Sequence, residues 1–86
     1  MILVAEDEPE IAAILTSYLE RDGFRTVTAA DGEVALMHHQ MLRPDLVLLD
    51  VQMPKRDGFA VLAELRQRGN TPVIMATARA EDLDKL

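Results

Sequence analysis

Ile2-Leu3-Val4-Ala5-Glu6-Asp7-Glu8-Pro9 is the stretch on which the fold of this chain turns. Four apolar residues in succession, too few for a helix, are what burial on both faces of a parallel sheet selects. The run breaks off into three acids, and Pro9 then suits the first turn of a helix, where its missing N–H is not needed. Ile11, Ile14, Leu15, Tyr18 and Leu19 follow at i, i+3, i+4, i+7 and i+8, which predicts an amphipathic helix with those residues on its buried face. Arg21-Asp22-Gly23 ends it. A buried strand that delivers acids directly into a helix start is one half of a βαβ unit.

The same unit recurs along the chain. Phe24 to Ala29 mixes Arg25, Thr26 and Thr28 with Val27 and reads as a strand that tolerates solvent at a sheet edge. Asp31 caps a second helix, whose stripe is Val34, Met37, Met41 and Leu42 with His38 interrupting it, and Arg43-Pro44 stops it. Leu46-Val47-Leu48-Leu49 is a third strand that ends at Asp50. Phe59, Leu62 and Leu65 mark the apolar face of a third helix, closed by Gly69-Asn70. Pro72 to Ala76 is a fourth strand, and Glu81-Asp82 sits where acids favour the first turn of a fourth helix. No repeat or low-complexity tract interrupts this alternation, so residues 1–86 read as one α/β domain.

Composition narrows the function classes. With 86 residues, no cysteine and two histidines, the chain has neither a disulfide framework nor a zinc or redox motif. Nine basic residues against fifteen acidic ones give a net charge of −6, which argues against gripping a phosphate backbone. DNA is therefore a partner only through another, absent output domain. The apolar runs of four or five residues fall far short of the roughly 18 that suggest a bilayer span, so no membrane is expected. Without a basic n-region or cleavage site at the start, the expected compartment is cytoplasmic. Any metal would be held by oxygen, which favours magnesium, calcium or manganese.

Short right-handed crossovers place the first strand between the second and third, in a doubly wound parallel sheet of order 2-1-3-4. Ligands bind such sheets outside the carboxyl ends of the strands where winding reverses. Glu6 and Asp7 follow strand 1, Asp50 ends strand 3 and Thr77 follows strand 4, so they converge on one crevice. Taken singly, acids after strands are commonly loop residues or caps. Together they repel one another until a cation neutralises them, and magnesium suits one or two carboxylates plus water and phosphate oxygens. Asp50 could then attack phosphorus as a nucleophile, and the Thr77 hydroxyl could hydrogen-bond the product.

These residues resemble the receiver domain of two-component response regulators, and the resemblance covers the whole chain. Ile2 to Pro9 resembles the family's first strand and acidic pair. Asp50-Val51-Gln52-Met53-Pro54-Lys55-Arg56-Asp57-Gly58 resembles its phospho-acceptor loop, and Thr77-Ala78-Arg79 its switch segment. Ala78 to Leu86 looks like regulators that carry a winged-helix DNA-binding domain. The resemblance implies a flavodoxin-like fold and a switch, not a turnover enzyme, with autophosphatase activity at most. It implies that a histidine kinase phosphorylates Asp50, that Asp7 ligates Mg2+, and that Glu6 assists mostly through water. The Gln52 backbone carbonyl would be a further metal ligand. Thr77 would move to contact the phosphoryl group, and the Gln52 and Arg79 side chains would flank the attacking water. The family also has a fifth strand followed by a lysine, and a fifth helix. The sequence stops before them, and neither Lys55 nor Lys85 stands in for that lysine.

Other features read as structural. His38 packs and His39 faces solvent, the methionines fill gaps, and Asp57-Gly58 is a turn that starts the third helix. The fourth strand reads as a buried central strand although it is the last, which leaves two expectations: the chain is the front of a longer domain, or a second copy meets the edge by swapping. The competing function is thus a phosphorylation-independent interaction or dimerisation module, a homodimer or domain-swapped dimer. A flavodoxin-like hydrolase or cofactor binder is disfavoured, because no Gly-rich loop follows strand 1.

Overall fold

Ile2–Ala5 forms β1, and all four of its residues are buried, as a strand with neighbours on both sides and cover on both faces should be. The structure, a computed structural model that describes residues 1–50 and 58–76, continues through α1 (Pro9–Arg21), β2 (Thr26–Ala29), α2 (Gly32–Leu42), β3 (Leu46–Asp50), α3 (Gly58–Arg68) and β4 (Val73–Ala76). The four strands make one parallel sheet in the order β2-β1-β3-β4. Winding therefore reverses between β1 and β3, as the connection rules require. Ile2 lies opposite Thr26 and Leu46, Ala5 opposite Ala29 and Leu49, and Asp50 opposite Ala76.

Alternation along the strands divides the sheet into two faces. Leu3, Ala5, Val47 and Leu49 form the main core with Ala29, with Ala35 and Leu36 of α2, and with Val61 and Leu65 of α3. Burying a leucine completely, as Leu49 is, contributes roughly 1.5–3 kcal/mol. On the opposite face α1 rests on β1 and β2, and Ile2 and Val4 are buried. Leu46 and Leu48 are only half-buried there, and Ile74 is 52% exposed. Among the described residues no strand pairs with the outer edge of β4.

Local chemistry sets the element ends. Pro9 occupies the start of α1 as expected, and Gly23, at φ +91°, turns the chain out of it in a conformation that favours glycine. The Asp31 side chain accepts from the Val34 amide at 2.9 Å and caps α2. β2 begins at Thr26 rather than Phe24, because the Phe24 amide still donates to the Leu19 carbonyl in the exit from α1. β4 begins after Pro72, which has no N–H to give the ladder.

The buried faces of the helices depart from the hydrophobic stripes. In α1, Ala12 is buried and Ile11, Leu15, Thr16 and Leu19 are half-buried, while Ile14 and Tyr18 are exposed. The apolar arc of this helix is wider than its contact with β1 and β2. In α2 the core face is Gly32, Ala35, Leu36 and His39, with Met37, Met41 and Leu42 exposed and Val34 only partly buried. Small residues let this helix approach the sheet closely, and that outweighs the larger but flexible methionines. In α3, Val61 and Leu65 are buried and Leu62 borders the core, but Phe59 is exposed. His39 is likewise corrected. Only 8% exposed, it is buried with its Nε2 2.9 Å from the Thr71 hydroxyl, whereas its neighbour His38 is half-buried.

Candidate functional site

Asp50 is the last residue of β3 and Glu6 the first beyond β1, and the pairing of Ala5 with Leu49 makes them lateral neighbours. Alternation turns both side chains to the face that carries Val4 and Leu48. The Glu6 amide donates to the Ala29 carbonyl at 2.9 Å, which carries the ladder one residue past β1 and fixes where the side chain starts. The next amide, that of Asp7, donates to the Glu6 carboxylate (Oε2) at 2.9 Å. Carboxylate oxygens of Glu6, Asp7 and Asp50 all lie within 4.8 Å of one another. Among the described residues no other group of three such ligands converges.

Glu6 carries the electrostatic cost of this arrangement. Its side chain is 6% exposed, and its pKa is pushed up from 4.5 to about 8. Burial is the largest cause. The hydrogen bond to Asp50 and the negative charge of Asp50 come next, followed by a side-chain hydrogen bond with Asp7, while the Asp7 amide pulls the other way. Without a countercharge the cluster thus holds a proton on a carboxyl group at neutral pH. A ligand set made only of hard carboxylate oxygens, with a buried acid that has no countercharge among the described residues, fits a hard divalent cation of the magnesium type.

The structure brings together three of the expected site residues, Glu6, Asp7 and Asp50. Thr77 follows directly on Ala76, the residue of β4 that pairs with Asp50, but Thr77, Gln52 and Arg79 lie outside the described residues. So do the rest of the loop at 51–57, with Lys55 and Asp57, and the helix start expected at Glu81. What the sequence reading missed is the weight of Glu6 within the cluster. The signal was available in its spacing from Ile2 and Val4, which puts it on the same buried face as the end of β3.

Comparison with known proteins places these features in a family. The model of the response regulator receiver domain matches residues 2–86. The chain is 48% identical over 85 residues to "Probable transcriptional regulator ycf27" of Cyanophora paradoxa, covering 99% of this chain and 36% of that protein. It is 45% identical over 86 residues to the alkaline phosphatase synthesis transcriptional regulatory protein PhoP of Bacillus subtilis, again 99% and 36%. The chain thus spans about a third of the length of these curated relatives. Among solved structures, the response regulator protein TrrA of Thermotoga maritima, in complex with Mg2+ and beryllofluoride, superposes with a TM-score of 0.88 at 36% identity. That match covers 99% of this chain and 75% of TrrA. No helix among the described residues is long and apolar enough to cross a membrane.

Proposed function

The chain belongs to the response regulator receiver domain family of two-component systems, a family of signalling phospho-acceptors rather than turnover enzymes, and on that premise we propose that Asp50 accepts a phosphoryl group from a histidine kinase. The observation that carries this reading is the meeting of Glu6, Asp7 and Asp50 within 4.8 Å at the carboxyl ends of β1 and β3. In the transfer an Asp50 carboxylate oxygen forms the new O–P bond while the P–N bond of a phosphohistidine breaks, and the departing imidazole keeps the electron pair.

In this proposal Asp7, Glu6, Asp50 and the Gln52 backbone carbonyl hold Mg2+, which when bound offsets the negative charge that develops in the transfer. Asp50 supplies the nucleophile through a carboxylate oxygen. Asp50 is half-buried at the end of β3. Thr77 contacts the phosphoryl group afterwards and conveys the change toward an output domain, which in the relatives belongs to transcriptional regulators. The proposed compartment is the cytoplasm, and DNA is reached only through such an output domain.

A mass measurement after incubation with Mg2+ and a small phosphoryl donor tests this. The expected result is a gain of one phosphoryl group that is lost in Asp50→Asn; equal labelling of Asp50→Asn refutes the assignment. A second reading, a phosphorylation-independent dimerisation module, is favoured by one observation, the unpaired outer edge of β4 among the described residues with Ile74 half exposed. It predicts a dimer in light scattering that neither Mg2+ nor beryllofluoride alters.

A further inference from the structure

The end of the sheet opposite the carboxylates carries a second polar site. An open cleft of about 680 Å³ lies between the last turns of α2 and α3 and the segment that leads into β4, and it is lined by His39, Gln40, Arg43, Arg68 and Thr71. Among the described residues no acid lines it, although the chain as a whole is strongly acidic. The adjoining groove toward the start of α2 holds Glu33 and Glu64, and Glu64 approaches Arg68 at 3.6 Å, which marks where the basic surface ends.

Cations at helix C-termini are ordinary, because they offset the partial negative charge of the last carbonyls. That accounts for Arg43 or Arg68 taken singly, and some of the carbonyls near this end already have a donor. The His39 carbonyl accepts from the Arg43 amide, the Leu65 carbonyl from the Gly69 amide, the Leu36 carbonyl from Arg68 and the Thr71 carbonyl from Arg66. Among the described residues no acceptor pairs with the Arg43 guanidinium. Arg43 also sits at φ +46°, a left-handed conformation where a residue with a side chain costs about 1–2 kcal/mol and glycine costs little. His39, more than nine-tenths buried, has an Nδ1 without a partner and an Nε2 next to the Thr71 hydroxyl. Arg68 lies close enough to hold the His39 pKa down, second to burial in effect.

We propose that this cleft binds a phosphate-type oxyanion, with the Arg43 and Arg68 guanidinium groups gripping its oxygens and the Thr71 hydroxyl, oriented by His39, donating to it. Planar guanidinium forks match phosphate oxygens, and a cleft this polar suits a small anion rather than an apolar ligand. The oxyanion arises either as inorganic phosphate or as the phosphate group of a small monoester. The site is independent of the carboxylate cluster and of its metal.

Nuclear magnetic resonance of the His39 ring and the Thr71 amide, in EDTA and at constant ionic strength, tests the proposal by titration with inorganic phosphate and, separately, with an alkyl phosphate monoester. Saturable shifts of both signals are expected, and the tighter of the two titrants identifies the source. Arg43→Gly, which relieves the backbone at that position, should keep the fold and weaken binding by about tenfold or more. His39→Gln, read on the Thr71 amide, should weaken it as well. A response that chloride reproduces, one unchanged in Arg43→Gly, or no response at all overturns the proposal.

Discussion

Replacing Glu6 by glutamine should make the chain more stable at neutral and alkaline pH while weakening the proposed Mg2+ binding. The folded state holds the Glu6 proton up to about pH 8, whereas the unfolded chain releases it near 4.5. Between those values the folded state binds more protons, so wild-type stability falls as pH rises, and the contribution is fully present only below about 4.5. Each pH unit in this window is worth up to about 1.36 kcal/mol. Glutamine keeps an oxygen to accept from the Asp7 amide and an N–H₂ to donate to Asp50, but has no proton to lose. Urea unfolding of both proteins in EDTA at pH 5, 6, 7 and 8 is the assay. The stability gap in favour of Glu6→Gln should widen steadily with pH, on the order of 1 M in urea midpoint per unit for a slope near 1 kcal/mol per M, and level off above pH 8. Saturating Mg2+ should narrow the gap by restoring the wild type. A gap that stays constant from pH 5 to 8 would refute the reasoning.

Three other outcomes are expected. Leu65→Ala, which empties a fully packed position between α3 and the sheet, should cost about 2–5 kcal/mol by denaturant unfolding, enough to unfold a small domain. Asp31→Ala removes the acceptor for the Val34 amide and should cost about 1 kcal/mol in the same assay, with Asp31→Asn close to wild type. His39 has its pKa lowered from 6.5, first by burial and then by Arg68, with Arg43 in the same cleft and Glu64 beside Arg68. Its contribution is therefore present above pH 6.5 and lost as pH falls through the lower folded value. Thermal unfolding of wild type and His39→Gln between pH 7 and 5 should converge as the pH drops, and parallel curves would contradict this.

Most strands were legible in the sequence because a change of chemistry marks one end: Ala5 into Glu6, Leu49 into Asp50, Pro72 into Val73. Runs buried on both faces need no periodicity to be recognised, and the order 2-1-3-4 follows from short right-handed crossovers between neighbouring strands. The helices were legible in extent but not in rotation. Asp31 and Pro9 announce where α2 and α1 begin, yet Met37 and Met41 pointed to the wrong face of α2, since periodicity counts hydrophobicity and not closeness of approach. Gly32 and Ala35 carry that information through their small size, as does His39 through a hydroxyl 32 positions away in the chain, at Thr71. Long-range pairing of this kind leaves no local trace. In the site, Glu6, Asp7 and Asp50 could be found from topology, whereas the dominance of Glu6 is a matter of burial and emerges only once Asp50 is set beside it.

The meeting of Glu6 and Asp50 depends on a register that neither residue enforces. Two ionised carboxylates side by side repel, and burial makes the repulsion worse, so within the cluster only the hydrogen bond between protonated Glu6 and Asp50 favours the alignment that creates it. What holds it is the interior of β3. Val47 and Leu49 are fully buried on the core face, paired with Leu3 and Ala5, and a slip of one residue would turn both toward the α1 side and bring Leu48 and Asp50 into the core. Burying an unpaired carboxylate there would cost several kcal/mol, on top of the lost leucine packing. The alternation that builds the core therefore also sets the acids at the strand ends, and a substitution at Val47 or Leu49 should weaken cation binding without touching a ligand. Leu49→Ala, compared with Leu65→Ala under conditions where both remain folded, separates the two effects. Both leave a cavity in the same core, but only the first loosens the strand that carries Asp50, and the expected result is a larger loss of Mg2+ affinity for Leu49→Ala at matched stability. Equal affinities would mean that the register is held elsewhere, by the Glu6 amide on Ala29 or by the pairing of Asp50 with Ala76.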